Sequence, residues 1–279
     1  MKKNLFLFCL FISLQFLSCS KENEFIIVKD YQFYKNGKPY RYIGTNYWYG
    51  AILGSKTGNR LRLQKELDEL KSLGITNVRV LVGAEGGDQD YTVYPALQPK
   101  QGEYNEELLD GLDFLLAELG KRNMDAVLYL NNNWEWSGGM AKYLEWNGKG
   151  VVPNPNIKPN TWPQFMEYTS KFHTCEPCKE AFKKHIEFIL TRTNSYTNKK
   201  YTEDSAIMAW QVANEPRVFT KENEAAFTKW LNEVVDLIEQ NDFHILPLTT
   251  DHTIVYEKLP FVHRDPFDRI LIAQAISDK

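Results

Sequence analysis

Asn214 and Glu215 stand where an apolar run, from Ile207 to Ala213, stops, and Pro216 follows them. A proline cannot donate to a strand ladder, so it turns the chain out of a strand at that point. A parallel strand buried on both faces would thus deliver one amide and one carboxylate to the open end of a sheet. In barrels of parallel strands, that end is where the chemistry is done. A carboxylate beside an amide, in a mouth lined by aromatic rings, has what general-acid cleavage of a glycosidic bond needs. Retaining cleavage uses two carboxyls about 5–5.5 Å apart, one protonating the leaving oxygen and one attacking the anomeric carbon. Glu215 is the acid/base candidate, and Asn214 is placed to bond the sugar 2-hydroxyl. The alternative, Glu215 as a cap on the next helix, conflicts with an apolar spacing that starts only near Thr220.

Arg79 lies inside the β-branched run from Thr76 to Val82. An arginine there is costly unless paired, and its alternative is a strand-end side chain reaching solvent. Trp48, Trp134 and Trp136 belong to a set of seven tryptophans and fifteen tyrosines, whose flat faces suit the C–H faces of sugar rings. Core packing is the competing use of such rings. Cys175 and Cys178 form a Cys-x-x-Cys pair, which elsewhere can be redox-active or half a zinc site. No second pair is present and His173 alone does not complete a metal site, so the pair reads as a local disulfide at a helix start or two free thiols.

The elements that must position these residues alternate. Phe25 to Trp48 reads as two strands joined at Lys35-Asn36-Gly37-Lys38, where Asn-Gly is a preferred pair for a tight hairpin, and the second of them, 41–46, reads as the first barrel strand. Leu63, Leu67, Leu70 and Leu73 recur at helical spacing before Gly74, and the strand 76–82 follows. Leu108, Leu112, Leu115, Leu116 and Leu119 give a second helix, 125–130 a third strand, and 131–175 a long aromatic loop. A helix over 179–193, the strand ending at Glu215 and a helix over 226–238 complete the series. Strand-helix rhythm of this kind predicts an α/β fold with a parallel sheet. A full (β/α)8 barrel takes roughly 250 residues, and four βα units here already use most of the chain, so an incomplete (β/α)8 TIM barrel with a short, mostly helical tail is expected.

These segments carry a resemblance. The run from Trp210 through Arg217 resembles the acid/base strand of glycoside hydrolase family 5. The segments 43–48, 77–83, 130–139 and 189–201 resemble its endo-β-1,4-mannanase branch, so the likeness covers about residues 25–239. It implies Glu215 as acid/base, Asn214 as its sugar-contacting neighbour, and Arg79 as the arginine that orients the nucleophile. Arg217 matches a basic residue that some mannanases use on the leaving-group side, and Trp48, Trp134 and Trp136 are implied as substrate-binding rings. The implied activity is retaining hydrolysis of β-mannan, or of cellulose or another β-1,4-glycan, with no cofactor. The nucleophile of the family ends the seventh strand, which the count of four units places outside the chain. Glu85 and Glu135 lie near the mouths of the second and third strands but do not occupy its place. With that strand missing, Arg79 is expected to be without a partner and hydrolysis to be impaired. A non-catalytic glycan-binding surface lipoprotein is the alternative.

Three further expectations concern the rest of the chain. Lys2 and Lys3 precede an apolar run from Leu5 to Leu17, and residues 1–19 resemble a lipoprotein signal peptide with Cys19 as the lipid-modified residue. That implies an extracytoplasmic, membrane-anchored protein. The truncated barrel is expected over 20–241 and an unrelated tail over 242–279, where the stretch from about 243 resembles the C-terminal part of PIN-domain ribonucleases, with Asp268 matching a metal-ligating acid. A lone carboxylate is a poor site for a divalent cation, so no metal is expected. The net charge of -3 gives no reason to expect nucleic acid as a partner.

Overall fold

A computed structural model of the chain describes residues 25–29, 32–241, 243, 250–260, 273 and 277. Cys19 and the signal segment, and Asp268 with most of the tail, lie outside the described residues.

The chain opens on a three-stranded antiparallel sheet, β1 (Ile26–Lys29), β2 (Gln32–Lys35) and β3 (Lys38–Pro39). Asn36 and Gly37 turn between the last two with φ of 53° and 71°, the pair of positive angles that a tight hairpin asks of Asn-Gly. The hairpin arm is shorter than expected: it ends at Pro39, and the first strand of the larger sheet, β4 (Ile43–Asn46), is separate. Lys35 and Tyr40 both reach Asp125 at 2.6 Å, which fastens the hairpin to the N-terminal end of a later strand and leaves the opposite end free for a site.

After the one-turn helix α1 (Gly50–Gly54) come α2 (Arg60–Ser72), β5 (Ile75–Leu81), α3 (Glu106–Lys121) and β6 (Asp125–Tyr129). Asn59 and Asn105 cap α2 and α3 through their side-chain oxygens. Leucines at 108, 109, 112, 115, 116 and 119 are buried against the sheet, which is why α3 forms where its spacing places it.

The expected loop 131–175 is largely helical: α4 (Gly139–Trp146) and α5 (Trp162–Ser170) fold within it. Met140, Tyr143 and Leu144 on the first, and Phe165 and Tyr168 on the second, carry the helical spacing, and all five are buried. The many glycines, prolines and tryptophans between them masked two short amphipathic turns. The chain continues through α6 (Glu176–Leu190), β7 (Ile207–Gln211), α7 (Glu224–Glu239) and α8 (Thr250–Lys258). Strands β4-β5-β6-β7 pair in that order, all parallel, giving the expected partial barrel. Cys175 and Cys178 are buried and joined as a disulfide at the start of α6, one of the two expected states.

Asp113, fully buried on α3, ties this architecture together. Its carboxylate accepts from both Arg192 nitrogens at 2.8 and 3.0 Å, from the Ser195 hydroxyl at 3.0 Å and from the Tyr201 hydroxyl at 2.6 Å. The segment 189–201 thereby gains a physical reason for its residue types: it is the approach to β7, clamped onto α3.

Candidate active site

The C-terminal ends of the strands carry the polar residues, as in other parallel barrels. Arg79 points from the middle of β5 across the inner face of the sheet. Its Nε donates to Gln211 Oε1 at 2.6 Å, one terminal nitrogen to Asn214 Oδ1 at 3.1 Å, and the other to Asn46 Oδ1 at 3.4 Å. The guanidinium also lies 4.0 Å from the centre of the Tyr129 ring. The expectation of an unpartnered Arg79 is therefore corrected: three neutral amides from β4, β7 and the β7 end, with one aromatic face, hold the cation. Tyr129 keeps its hydroxyl protonated, since burial outweighs the nearby Arg79 charge and pushes its pKa up to about 12.

Asn214 extends the barrel pattern by one step. Its backbone N–H donates to Asn131 at 2.8 Å, and its carbonyl accepts from Asn133 at 3.0 Å. Its side chain accepts from Arg79 and donates to Asn132 Oδ1 at 3.0 Å. That leaves one N–H and one lone pair of the amide for a ligand, enough for a sugar hydroxyl.

Glu215 follows with φ of 47°, a left-handed angle uncommon for a side chain other than Gly or Asn, and it precedes a proline. Strain of this kind persists where surrounding contacts over-determine it, and such positions cluster at functional sites. Here the contacts are a Trp134 indole N–H donating to Glu215 Oε2 at 3.0 Å and an Arg217 terminal nitrogen donating to the same oxygen at 2.7 Å. The Glu215 side chain remains 42% exposed, so it faces the mouth and is no helix cap. Neither donor uses the other carboxylate oxygen, Oε1.

Two aromatic groups flank this carboxylate. Trp48 and Trp136 meet edge to face at 5.9 Å beyond β4 and β6. Trp134 stands next to Glu215, with the Arg217 guanidinium 5.0 Å from its ring centre and with Trp162 and Phe219 at 5.9 and 6.3 Å.

Neither carboxylate near the earlier strand ends pairs with Glu215. Glu85 is buried, accepts from the Gly139 backbone N–H at 2.9 Å and from the Asn131 amide at 3.4 Å, and burial pushes its pKa up to about 8. Glu135 is buried as well, with its Oε1 accepting from Asn156 at 2.9 Å. Among the described residues, no group of three or more His, Cys, Asp or Glu side chains is placed to hold a metal ion.

All the predicted mouth residues in the described part therefore gather at one end of the sheet. Gln211, Asn132, Tyr129 and Trp162 were not singled out in the sequence. Gln211 had a signal, a polar residue inside an apolar strand, and Asn132 had one in the run of three asparagines that ends β6.

Residues 23–255 match the family described as GH family 5 beta-mannosidase-like. Mannan endo-1,4-beta-mannosidase 1 of Solanum lycopersicum is 31% identical over 239 residues, covering 85% of this chain and 54% of its own. Mannan endo-1,4-beta-mannosidase 7 of Arabidopsis thaliana is 30% identical over 218 residues, covering 78% of this chain and 46% of its own. The chain thus spans about half the length of the curated relatives it matches. A crystal structure of a glycoside hydrolase family 5 mannosidase from Rhizomucor miehei superposes with a TM-score of 0.72 at 34% identity, covering 79% of this chain and 54% of that one. A mutant of that protein was solved in complex with mannosyl-fructose. These comparisons lend no support to the ribonuclease-like reading of the tail.

Proposed function

We propose, for a chain that belongs to the GH family 5 beta-mannosidase-like family, that its site acts on β-1,4-linked mannan, with Glu215 as the acid/base of a retaining hydrolysis. The observation that carries the reading is the convergence on Glu215. A carboxylate held on one oxygen by Trp134 and Arg217 presents the other to a glycosidic oxygen, and stacking rings stand on either side. In the first step Glu215 gives its proton to the leaving oxygen, and in the second it takes one from water. Asn214 offers its remaining amide groups to the sugar 2-hydroxyl, a contact that strengthens as positive charge grows at the anomeric carbon. Arg79, held among amides, keeps a positive charge fixed beside the place where a nucleophile would sit.

Because Glu85 and Glu135 are held elsewhere, the described residues supply the binding and proton-transfer half of this chemistry. That observation favours glycan binding without turnover as the second reading for this chain, and impaired hydrolysis as its corollary. Reducing-end release from mannan, measured beside mannan binding in affinity electrophoresis, separates the two. Release that disappears in Glu215→Gln supports hydrolysis; binding without release supports the second reading; neither binding nor release removes both.

The layout of residues 1–20 supports an extracytoplasmic protein anchored by a lipid on Cys19. Metabolic labelling with a fatty-acid probe tests this. Label that persists in Cys19→Ser would overturn it.

A further inference from the structure

We infer that Trp162 forms an outer sugar-stacking platform, which adds one hexosyl subsite to the cleft on the Arg217 side of Glu215. This rests on the reading of the site as a mannan cleft and extends it to a residue which that reading does not use.

Trp162 is 45% exposed, a large apolar ring left open to solvent. Its mounting is firm. The ring meets Phe165, fully buried, edge to face at 6.0 Å and an interplanar angle of 87°, and meets Trp134 in the same way at 5.9 Å and 83°. It opens helix α5, where Pro163 sets the first turn and Gln164 accepts from the Thr161 backbone N–H at 2.9 Å. Held in this way, the ring loses little freedom when a ligand covers it, so most of the burial energy goes into affinity.

The neighbouring rings are already engaged. The indole N–H of Trp134 is given to Glu215 and the Arg217 guanidinium sits over its ring. Trp162 is set almost perpendicular to Trp134, so its open face looks in a different direction and does not duplicate the inner contact. Arg217 brings a polar group to this side of Glu215: one terminal nitrogen is used by Glu215, and the side chain as a whole is partly exposed. An exposed aromatic ring one side chain away from a partly exposed guanidinium suits a neutral, flat, hydroxylated ring. A hexopyranose has both features, apolar C–H groups on one face and hydroxyls around its rim. The path from Glu215 to Trp134 to Trp162 is continuous, so such a ring belongs to the same oligosaccharide chain as the one at Glu215.

Isothermal titration of the full chain with β-1,4-linked mannobiose, mannotriose and mannohexaose tests this, using Trp162→Ala, Trp162→Phe and Trp134→Ala. Trp162→Ala is expected to weaken mannohexaose about tenfold, equivalent to about 1.4 kcal/mol, and to leave mannobiose unchanged within about twofold. Trp162→Phe should keep most of the affinity, and unchanged thermal melting of both variants shows that the fold is kept. Equal mannohexaose affinity in Trp162→Ala and the parent, or an equal loss for every length, overturns the subsite. If Trp134→Ala loses affinity at every length while Trp162→Ala does not, the mannan cleft stands and only the outer platform falls. No binding of any oligosaccharide by the parent chain overturns both.

Discussion

Trp134 and Glu215, 81 positions apart in the chain, meet through a hydrogen bond of 3.0 Å between the indole N–H and one carboxylate oxygen. They follow neighbouring parallel strands, β6 and β7, so the pairing of those strands is what brings them together. Arg217 binds the same oxygen. The carboxylate proposed for proton transfer is thus held by two donors on one oxygen.

Glu215→Gln should be nearly neutral for stability and severe for any turnover. The Arg217 pair is about two-fifths exposed on both sides, and such pairs contribute at most about 1 kcal/mol. Loss of a general acid costs roughly a hundredfold or more in rate. A melting temperature changed by more than several degrees would contradict the first statement, and retained mannan hydrolysis the second.

Three of the buried titratable groups pull stability in opposite directions with pH. Glu85 has its pKa raised by burial to about 8, so its contribution is fully present below the unfolded value of 4.5 and is lost as pH rises through about 8. His173 and His185 have theirs lowered by burial to about 4, so their contribution is present above 6.5 and is lost as pH falls through about 4. Between 4.5 and 6.5 the two histidines outweigh the single carboxyl, and above 6.5 the carboxyl acts alone, so these groups place the maximum near 6.5. Thermal melting against pH checks the sign. Glu85→Gln should flatten the fall above pH 6.5, and a fall of the same steepness in that variant would rule Glu85 out as its source.

Asp113→Asn should destabilise the fold strongly. It removes the charge that pairs with Arg192 and leaves five donor contacts poorly matched in a buried site. Breaking a buried pair on one side costs roughly 3–5 kcal/mol. Urea unfolding would show the loss, and a change below about 1 kcal/mol would mean that the cluster is not cooperative.

Among the described residues, β4 and β7 are each paired on one side, and Ile43 on β4 is 64% exposed. Open parallel edges template further strands. Concentration-dependent association is expected in sedimentation velocity, reduced by Ile43→Lys. A monomer at all concentrations would contradict this.

Much of this protein was legible in the chain because barrel strands obey local rules. The apolar run from Ile207 to Ala213, ended by Pro216, fixed the strand and the position of Glu215 at its open end, since neither depends on distant residues, although β7 is half-buried along most of its length and not enclosed on both faces. The leucine spacing of α3 and the Asn36-Gly37 turn were equally local. The helices between 139 and 170 were harder to see, because two short amphipathic segments among glycines and prolines give a weak period. What only the tertiary structure decided is who partners whom. Arg79 finds Gln211, Asn46 and Asn214 in place of a carboxylate, Glu85 turns inward to Gly139, and Trp162 comes to stand beside Trp134. Those choices follow from strand order and register, which bring side chains within hydrogen-bond range across gaps of up to 135 residues that no local pattern can encode.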